Sequence, residues 1–131
     1  MDLDLVPQGT IAAQRREAGS GIPAFYTHTG VGSMYATGGI PVRYSKDGSR
    51  KVEMTSPART IDSFGGKDYI LEPSLHADVS LVKAWKADTL GNLVFRGTAR
   101  NSNPDVAKAG TFCVAEAEEI VQAGDLDPNE I

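Results

Sequence analysis

A layered α/β fold, strand-rich with several hairpins and two or three short helices, is what this sequence predicts. Short runs of β-branched and aromatic residues alternate with Asp-Gly, Gly-Gly and Leu-Gly-Asn turns, the pattern of successive hairpins. Helix start and stop signals are confined to two brief stretches. At 131 residues, 40% hydrophobic and 23% charged, the chain has material for one modest core.

The first helix is expected over residues 9–18, where helix formers from Ile11 to Ala18 follow Pro7 and stop at Gly19 and Gly21, which suit a left-handed terminator. Its thin apolar stripe of Ile11, Ala12 and Ala18 predicts a surface helix laid on a sheet. Ile22 to Tyr26 reads as a strand with Pro23 near its start, and residues 27–40 as a polar loop. Two strands are expected within residues 41–54 around the turn Lys46-Asp47-Gly48-Ser49. A further hairpin joins "RTIDSF" to "KDYILE" through Gly65-Gly66.

The segment "DVSLVKAWKAD" is the expected central strand, with Val79, Leu81, Trp85 and Ala87 on one face and Val82 and Ala84 making the other partly apolar. Its turn "TLGN" returns into "LVFR". Then Asn103 as N-cap, Pro104 at the first helical position, Asp105 and the terminator Gly110 predict a second helix. The strand "TFCVAEA" is expected to bury Cys113 as a small hydrophobe. The acidic tail from Glu116 to Glu130 reads as a solvated face with Ile120 and Val121 turned inward.

Composition excludes several functions. Thirteen Lys and Arg against seventeen Asp and Glu give a net charge of −4 without a basic stripe, so no nucleic-acid partner is expected. One cysteine, and His28 and His76 as the only histidines, leave neither a disulfide nor zinc-ligand spacing. No metal site is expected, and a reducing compartment is favoured. No apolar run approaches the roughly 18 residues of a membrane span, and the acidic start lacks a signal-peptide pattern, so no membrane partner is expected. The sequence contains no nucleophile elbow, phosphate loop or dinucleotide fingerprint, and no catalytic residue is assigned.

A resemblance extends this reading. "PQGT", "IPAFYTHTGVGS", "DYILE", "DVSLVKAWKADTLGNLVF", "TARNSN" and "VAEAEEIVQAGDLDP" together resemble, in order, blocks of the A (alpha) subunit of succinyl-CoA:3-oxoacid CoA-transferases and their acetate/acetoacetate relatives. The resemblance implies a CoA-transferase-type fold and transfer of coenzyme A between an acyl-CoA, such as succinyl-CoA, and a 3-oxoacid or short carboxylic acid. Such enzymes use a glutamate carboxylate that attacks the thioester, a covalent route that splits one acyl transfer into easier steps. In the family that glutamate belongs to a B (beta) subunit, within a Glu-Asn-Gly type motif absent from this chain. The implied partners are therefore a B subunit within a higher oligomer, and small carboxylic acids and acyl-CoA as substrates, with no tightly bound cofactor.

Relative to the family pattern, residues 1–131 read as a partial A-subunit domain lacking its N-terminal part and closing segment, inactive alone. The implied compartment is bacterial cytoplasm, or the mitochondrial matrix for a eukaryotic chain. His28 stands where the family usually has proline, and Val31 where an aromatic is frequent.

The strand end and its glycine-rich loop form a candidate acyl-pocket wall, because ligands of open α/β sheets bind beyond strand ends. Phe25, Tyr26, Thr27, Thr29, Gly30 and Gly32 are the substrate-binding candidates there. Arg100 and Asn101 are candidates for a carboxylate or a CoA phosphate, since guanidinium suits both. Blander readings stand beside these: Phe25 and Tyr26 as core, His28 as a solvent-facing loop residue, Arg100 and Asn101 as cap and turn. A non-catalytic remnant or interaction module of the same fold is the alternative function. An acyl-CoA hydrolase ranks last, because it needs a catalytic glutamate of its own.

Overall fold

The computed structural model describes residues 1–131. The chain divides into two compact units, Met1–Gln14 with Pro23–Pro73, and Arg15–Ile22 with Ser74–Ile131.

In the first unit, α1 (Gln8–Gly19) begins just after Pro7, and β1 (Ala24–Thr27) starts two residues later than expected. Pro23 stays outside the strand, where its missing donor matters least. Within the expected loop a short helix, α2 (Met34–Thr37), is capped at both ends. Ser33 Oγ accepts from Tyr35 N, and Gly38, at φ 78°, donates its N–H to Met34 O. β2 (Pro41–Tyr44) and β3 (Val52–Thr55) form a bulged antiparallel pair, as the Asp47-Gly48 turn predicts. β4 (Ile61–Phe64) and β5 (Lys67–Pro73) are joined by Gly65 and Gly66 at φ 58° and 76°. Two consecutive positive φ values are what a tight primed hairpin turn requires.

The order β1-β5-β4 makes β5 the central strand of an antiparallel sheet. Pairing of Thr27 with Ile70 and of Phe25 with Glu72 sets these residues on its inner face. Side chains alternate along a strand, so Tyr26, Tyr69, Asp62 and Phe64 share the outer face. The core beneath is small: Tyr35, Ala36 and fully buried Ile70, with Val6 and Val31 packed against them.

In the second unit the last turn of α1 closes on Gly21 at φ 75°, with Gly21 N bonded to Ala18 O and Ile22 N to Glu17 O. This is the expected left-handed terminator. β6 (Ala77–Asp88) lies between β7 (Leu93–Val94) and β8 (Gly110–Val121), antiparallel to the first and parallel to the second. β6 is central as expected, and its two faces are buried unequally. Ser80, Val82 and Ala84 are covered, whereas Val79 and Leu81 are 54% and 73% exposed. Helix α3 (Asn103–Ala109) packs on β6 and β8, and the face it covers becomes the core face whatever the hydrophobicity of its opposite.

Three further expectations are corrected. Asn103 is inside α3, not its cap: its amide Nδ2 donates to Ala99 O at 2.8 Å and its Oδ1 accepts from Lys83 N at 3.3 Å. Gly110 does end the helix as expected, in extended backbone at φ −88°. It is glycine for space, since a Cβ there would lie 2.7 Å from Ser80 Oγ and 2.8 Å from Ser80 N. Strand β8 runs on through the acidic segment as an edge, so Cys113 is exposed and Ile120 is 73% exposed, leaving only Val121 partly covered. The glutamates of β8 are solvated as expected, and Glu116, Glu119 and Glu118 pair with Lys83, Lys86 and Arg96 at 2.8, 3.0 and 3.4 Å.

Candidate functional site

Six of the eight candidate residues lie in the first unit, on β1 and the turn that follows it. Strand alternation separates the first two: half-buried Phe25 faces inward beside Glu72, and Tyr26 outward. Tyr26 is 41% exposed, its hydroxyl donates to Asp62 Oδ2 at 2.6 Å, and its ring meets Phe64 edge-on at 4.9 Å. The hydrogen bond to the Asp62 carboxylate, with burial second, pushes the Tyr26 phenol above its ordinary range. His28 is exposed, as expected of a loop residue. Its Nδ1 lies 2.9 Å from the Asp68 carbonyl oxygen, which only accepts, so Nδ1 carries the proton in this contact.

The turn is built from its own polar groups. Thr27 Oγ1 accepts from Thr29 N at 3.2 Å, Val31 N donates to His28 O at 3.2 Å, and Gly30 O accepts from Ser33 N at 3.2 Å and Ser33 Oγ at 2.6 Å. Gly30 and Gly32 both have positive φ, 90° and 77°, for different reasons. A Cβ on Gly30 would sit 2.7 Å from Tyr35 Cδ1 and 3.5 Å from Ile70 Cδ1, so the turn rests directly on the core. A Cβ on Gly32 would meet nothing within 4 Å. Gly32 and Thr29 are both exposed residues.

Beneath the turn lies a cluster the sequence reasoning missed. Glu72, with no exposed surface, accepts from the Tyr35 hydroxyl at 2.7 Å and from Gln14 Nε2 at 3.2 Å. Arg59 approaches the same carboxylate with Nη1 at 3.7 Å and lies over the Tyr35 ring, 4.5 Å from its centroid. Its Nη2 reaches Asp4 at 3.4 Å. Burial first, and the bond to Glu72 second, push the Tyr35 phenol well above its ordinary range, so it remains a neutral donor. A carboxylate two residues from Ile70, on the face an alternating strand buries, was the available signal.

Arg100 and Asn101 belong to the second unit. The 3₁₀ turn Gly97–Arg100 ends in Asn101 at φ 20°, and both residues are exposed. They open on different grooves. Asn101 lines one of about 230 Å³ with Lys83, Trp85, Arg96 and Asn103. Arg100 lines one of about 380 Å³ with Phe95, Pro104 and Lys108, and its Nη1 lies 3.5 Å from Glu130 O. No helix of the chain is long and apolar enough to cross a membrane.

Comparison with known proteins gives a consistent family. A family model described as Coenzyme A transferase matches residues 1–131. The A subunit of a probable succinyl-CoA:3-ketoacid coenzyme A transferase of Bacillus subtilis (strain 168) is 49% identical over 131 residues, all of this chain and 47% of the relative. The mitochondrial succinyl-CoA:3-ketoacid coenzyme A transferase 2B of Mus musculus is 45% identical over all of this chain and 25% of its own length. The chain therefore spans half or less of these relatives. Among solved structures, an acyl-CoA transferase of Escherichia coli O157:H7 in a thioester complex with CoA superposes with a TM-score of 0.72 at 15% identity, over 100% of this chain and 27% of that one. Glutaconate coenzyme A-transferase of Acidaminococcus fermentans gives 0.67 at 18% identity, over 95% and 40%. The mixed α/β architecture is thus shared with CoA-transferase structures.

Proposed function

The chain belongs to the coenzyme A transferase family, and we propose that it is a partial A-subunit domain shaping the acid-binding side of an enzyme that moves CoA between succinyl-CoA and a 3-oxoacid or short carboxylic acid. A B subunit supplies the attacking glutamate, and the working enzyme is a higher hetero-oligomer. Its compartment is the cytoplasm in a bacterium and the mitochondrial matrix in a eukaryote. The observation that carries this reading is the β1 turn: a strand ends in residues whose polar groups build a rigid turn, and the turn offers open backbone at Gly32. Thr27, Thr29, Gly30 and Gly32, at the strand end, form the acyl side of the site, and Phe25 and Tyr26 flank it from opposite faces of β1. Arg100 and Asn101 meet a carboxylate or a CoA phosphate.

The chemistry assigned to the complex needs only what each part supplies. The B-subunit carboxylate attacks the acyl-CoA carbonyl and expels the CoA thiolate, giving a mixed anhydride. The thiolate then attacks the glutamyl carbonyl and releases the first acid, and the second acid reverses both steps. This chain's part is orientation, which is worth several kcal/mol in a bimolecular acyl transfer.

Two measurements test the reading. Residues 1–131 alone are expected to show no transfer from succinyl-CoA to acetoacetate; turnover abolished by replacing one of the chain's own glutamates overturns the assignment. In the assembled A/B enzyme, Gly32→Ala places a methyl in open space at a strained φ, an expected stability cost of about 1 kcal/mol. Its kcat/KM should fall at least tenfold, about 1.4 kcal/mol of transition-state stabilisation. Wild-type kinetics in that variant exclude the turn from the site.

A further inference from the structure

We infer that Tyr35, locked by the buried carboxylate of Glu72, is a positioning residue that sets the height of the β1 turn, an inference that rests on the turn lining the acyl site. Three contacts make one mechanical chain. Glu72 sits on the central strand with no exposed surface and takes the Tyr35 hydroxyl at 2.7 Å. The Tyr35 ring lies under Gly30 so closely that even a methyl there would come within 2.7 Å of Cδ1. Gly30 O in turn receives both Ser33 N and Ser33 Oγ, the residue that caps the helix carrying Tyr35. The loop from Gly30 to Tyr35 is closed on itself at one end and pinned to β5 at the other.

The pin resists rotation as well as withdrawal. Tyr35 is 7% exposed and Arg59 covers its ring at 4.5 Å, so the ring has a wall as well as a tether. Glu72 is fixed independently by Gln14 Nε2 at 3.2 Å, with Arg59 Nη1 at 3.7 Å. A buried carboxylate held by several donors is a rigid reference point, because leaving any of its oxygens unpaired is unfavourable. Arg59 adds a backbone tie, donating its N–H to Ala36 O at 2.9 Å. Placement within about half an ångström is what a reacting acyl group demands of its supports.

The test is Tyr35→Phe in the assembled A/B enzyme, which keeps the ring and removes only the tether. We expect kcat for succinyl-CoA to acetoacetate transfer to fall about tenfold, with KM for either substrate changed less than about threefold. Amide exchange at Val31 and Ser33 should quicken about tenfold, with exchange at Leu71 on β5 unchanged. Equal acceleration at Leu71 reveals general loosening of the unit and overturns the positioning role, as does wild-type kcat with wild-type turn exchange. Glu72→Gln keeps an acceptor for the Tyr35 hydroxyl and should retain more kcat than Glu72→Leu; equal losses also overturn the inference. Gly32→Ala, assayed beside them, separates the two failures. A kinetic defect there with a silent Tyr35→Phe removes this inference alone, and silence in both removes the site reading with it.

Discussion

The two units of this chain stabilise their sheets by opposite means. In the first, an antiparallel sheet buries a polar network on its inner face: Glu72, Tyr35 and Arg59 beside a hydrophobic cluster of only Tyr35, Ala36 and Ile70. In the second, a long parallel pair buries small residues, Ser80, Val82 and Ala84, and leaves large ones, Leu81, Phe112 and Ile120, more than 60% exposed. Parallel sheets are normally covered on both faces. The first unit thus gains its definition from directional bonds, and the second from close approach of backbone and helix.

That difference is broken most severely at the close approach. Gly110→Val should have the largest effect on stability, because a Cβ would lie 2.7 Å from Ser80 Oγ and 2.8 Å from Ser80 N, where no side-chain movement relieves the backbone clash. Overpacking of this kind costs about 3 kcal/mol, roughly 10 °C in melting temperature for a chain of this size. Amide exchange should place the loss in β6 and β8. A melt within about 2 °C of wild type, roughly 0.5 kcal/mol, would show that α3 and β6 separate freely.

A smaller effect sharpens the face assignment. Val82→Ala removes two buried methyl groups and should cost about 2 kcal/mol, whereas Leu81→Ala, at a position 73% exposed, should stay within about 0.5 kcal/mol. Thermal melts of the two variants decide which face of β6 is inner. If Leu81→Ala costs as much as Val82→Ala, the outer face is covered and the contrast between the units fails.

Much of this arrangement was legible in the sequence, and the failures have a common cause. The hairpin turns at Gly48, Gly65-Gly66 and Gly91 were readable because each needs positive φ, a local property of one or two residues. Gly21 was legible for the same reason. The face of β6 was not, because alternation fixes which residues share a side and says nothing about where α3 lands. Cys113 and Ile120 were misread because an apolar residue in a strand suggests burial, and edge position is a property of topology. Helix α2 was hidden among glycines that mark loops, although Ser33 and Gly38 are its caps. Of the candidate site, the turn was visible as a glycine-rich strand end; its support was not, since Glu72 and Tyr35 stand 37 residues apart.

The mildest prediction concerns pH and a hairpin with almost no core. Every residue of β3 is exposed, so the β2–β3 pair depends on its turn. There Asp47 Oδ1 accepts from Ser45 Oγ at 2.6 Å and Ser49 N at 2.9 Å. These bonds, the Ser45 hydroxyl foremost, lower the Asp47 carboxyl from its ordinary 3.8 to about 2. A folded-state pKa below the unfolded one means stabilisation that is complete above the unfolded value and lost as pH falls through the folded value. The hairpin should therefore fray between pH 3.8 and about 2, seen as faster amide exchange or smaller strand chemical shifts at Ser45 and Lys51, whose N–H and C=O close the turn at 2.9 Å. The second unit holds a comparable turn, with Asp88 accepting from Asn92 Nδ2 at 2.8 Å and Asn92 N at 2.9 Å, but Asp88 is buried and joins the longer β6. Its own carboxyl is lowered by the Asn92 side-chain bond, so it too should hold through neutral pH and weaken in acid, while β6–β8 pairing keeps its strand in place. Asp47→Ala should remove the acid-dependent fraying of the first turn and leave the melting temperature unchanged. A hairpin whose pH response survives that substitution owes it to another group, and the assignment to Asp47 is then wrong.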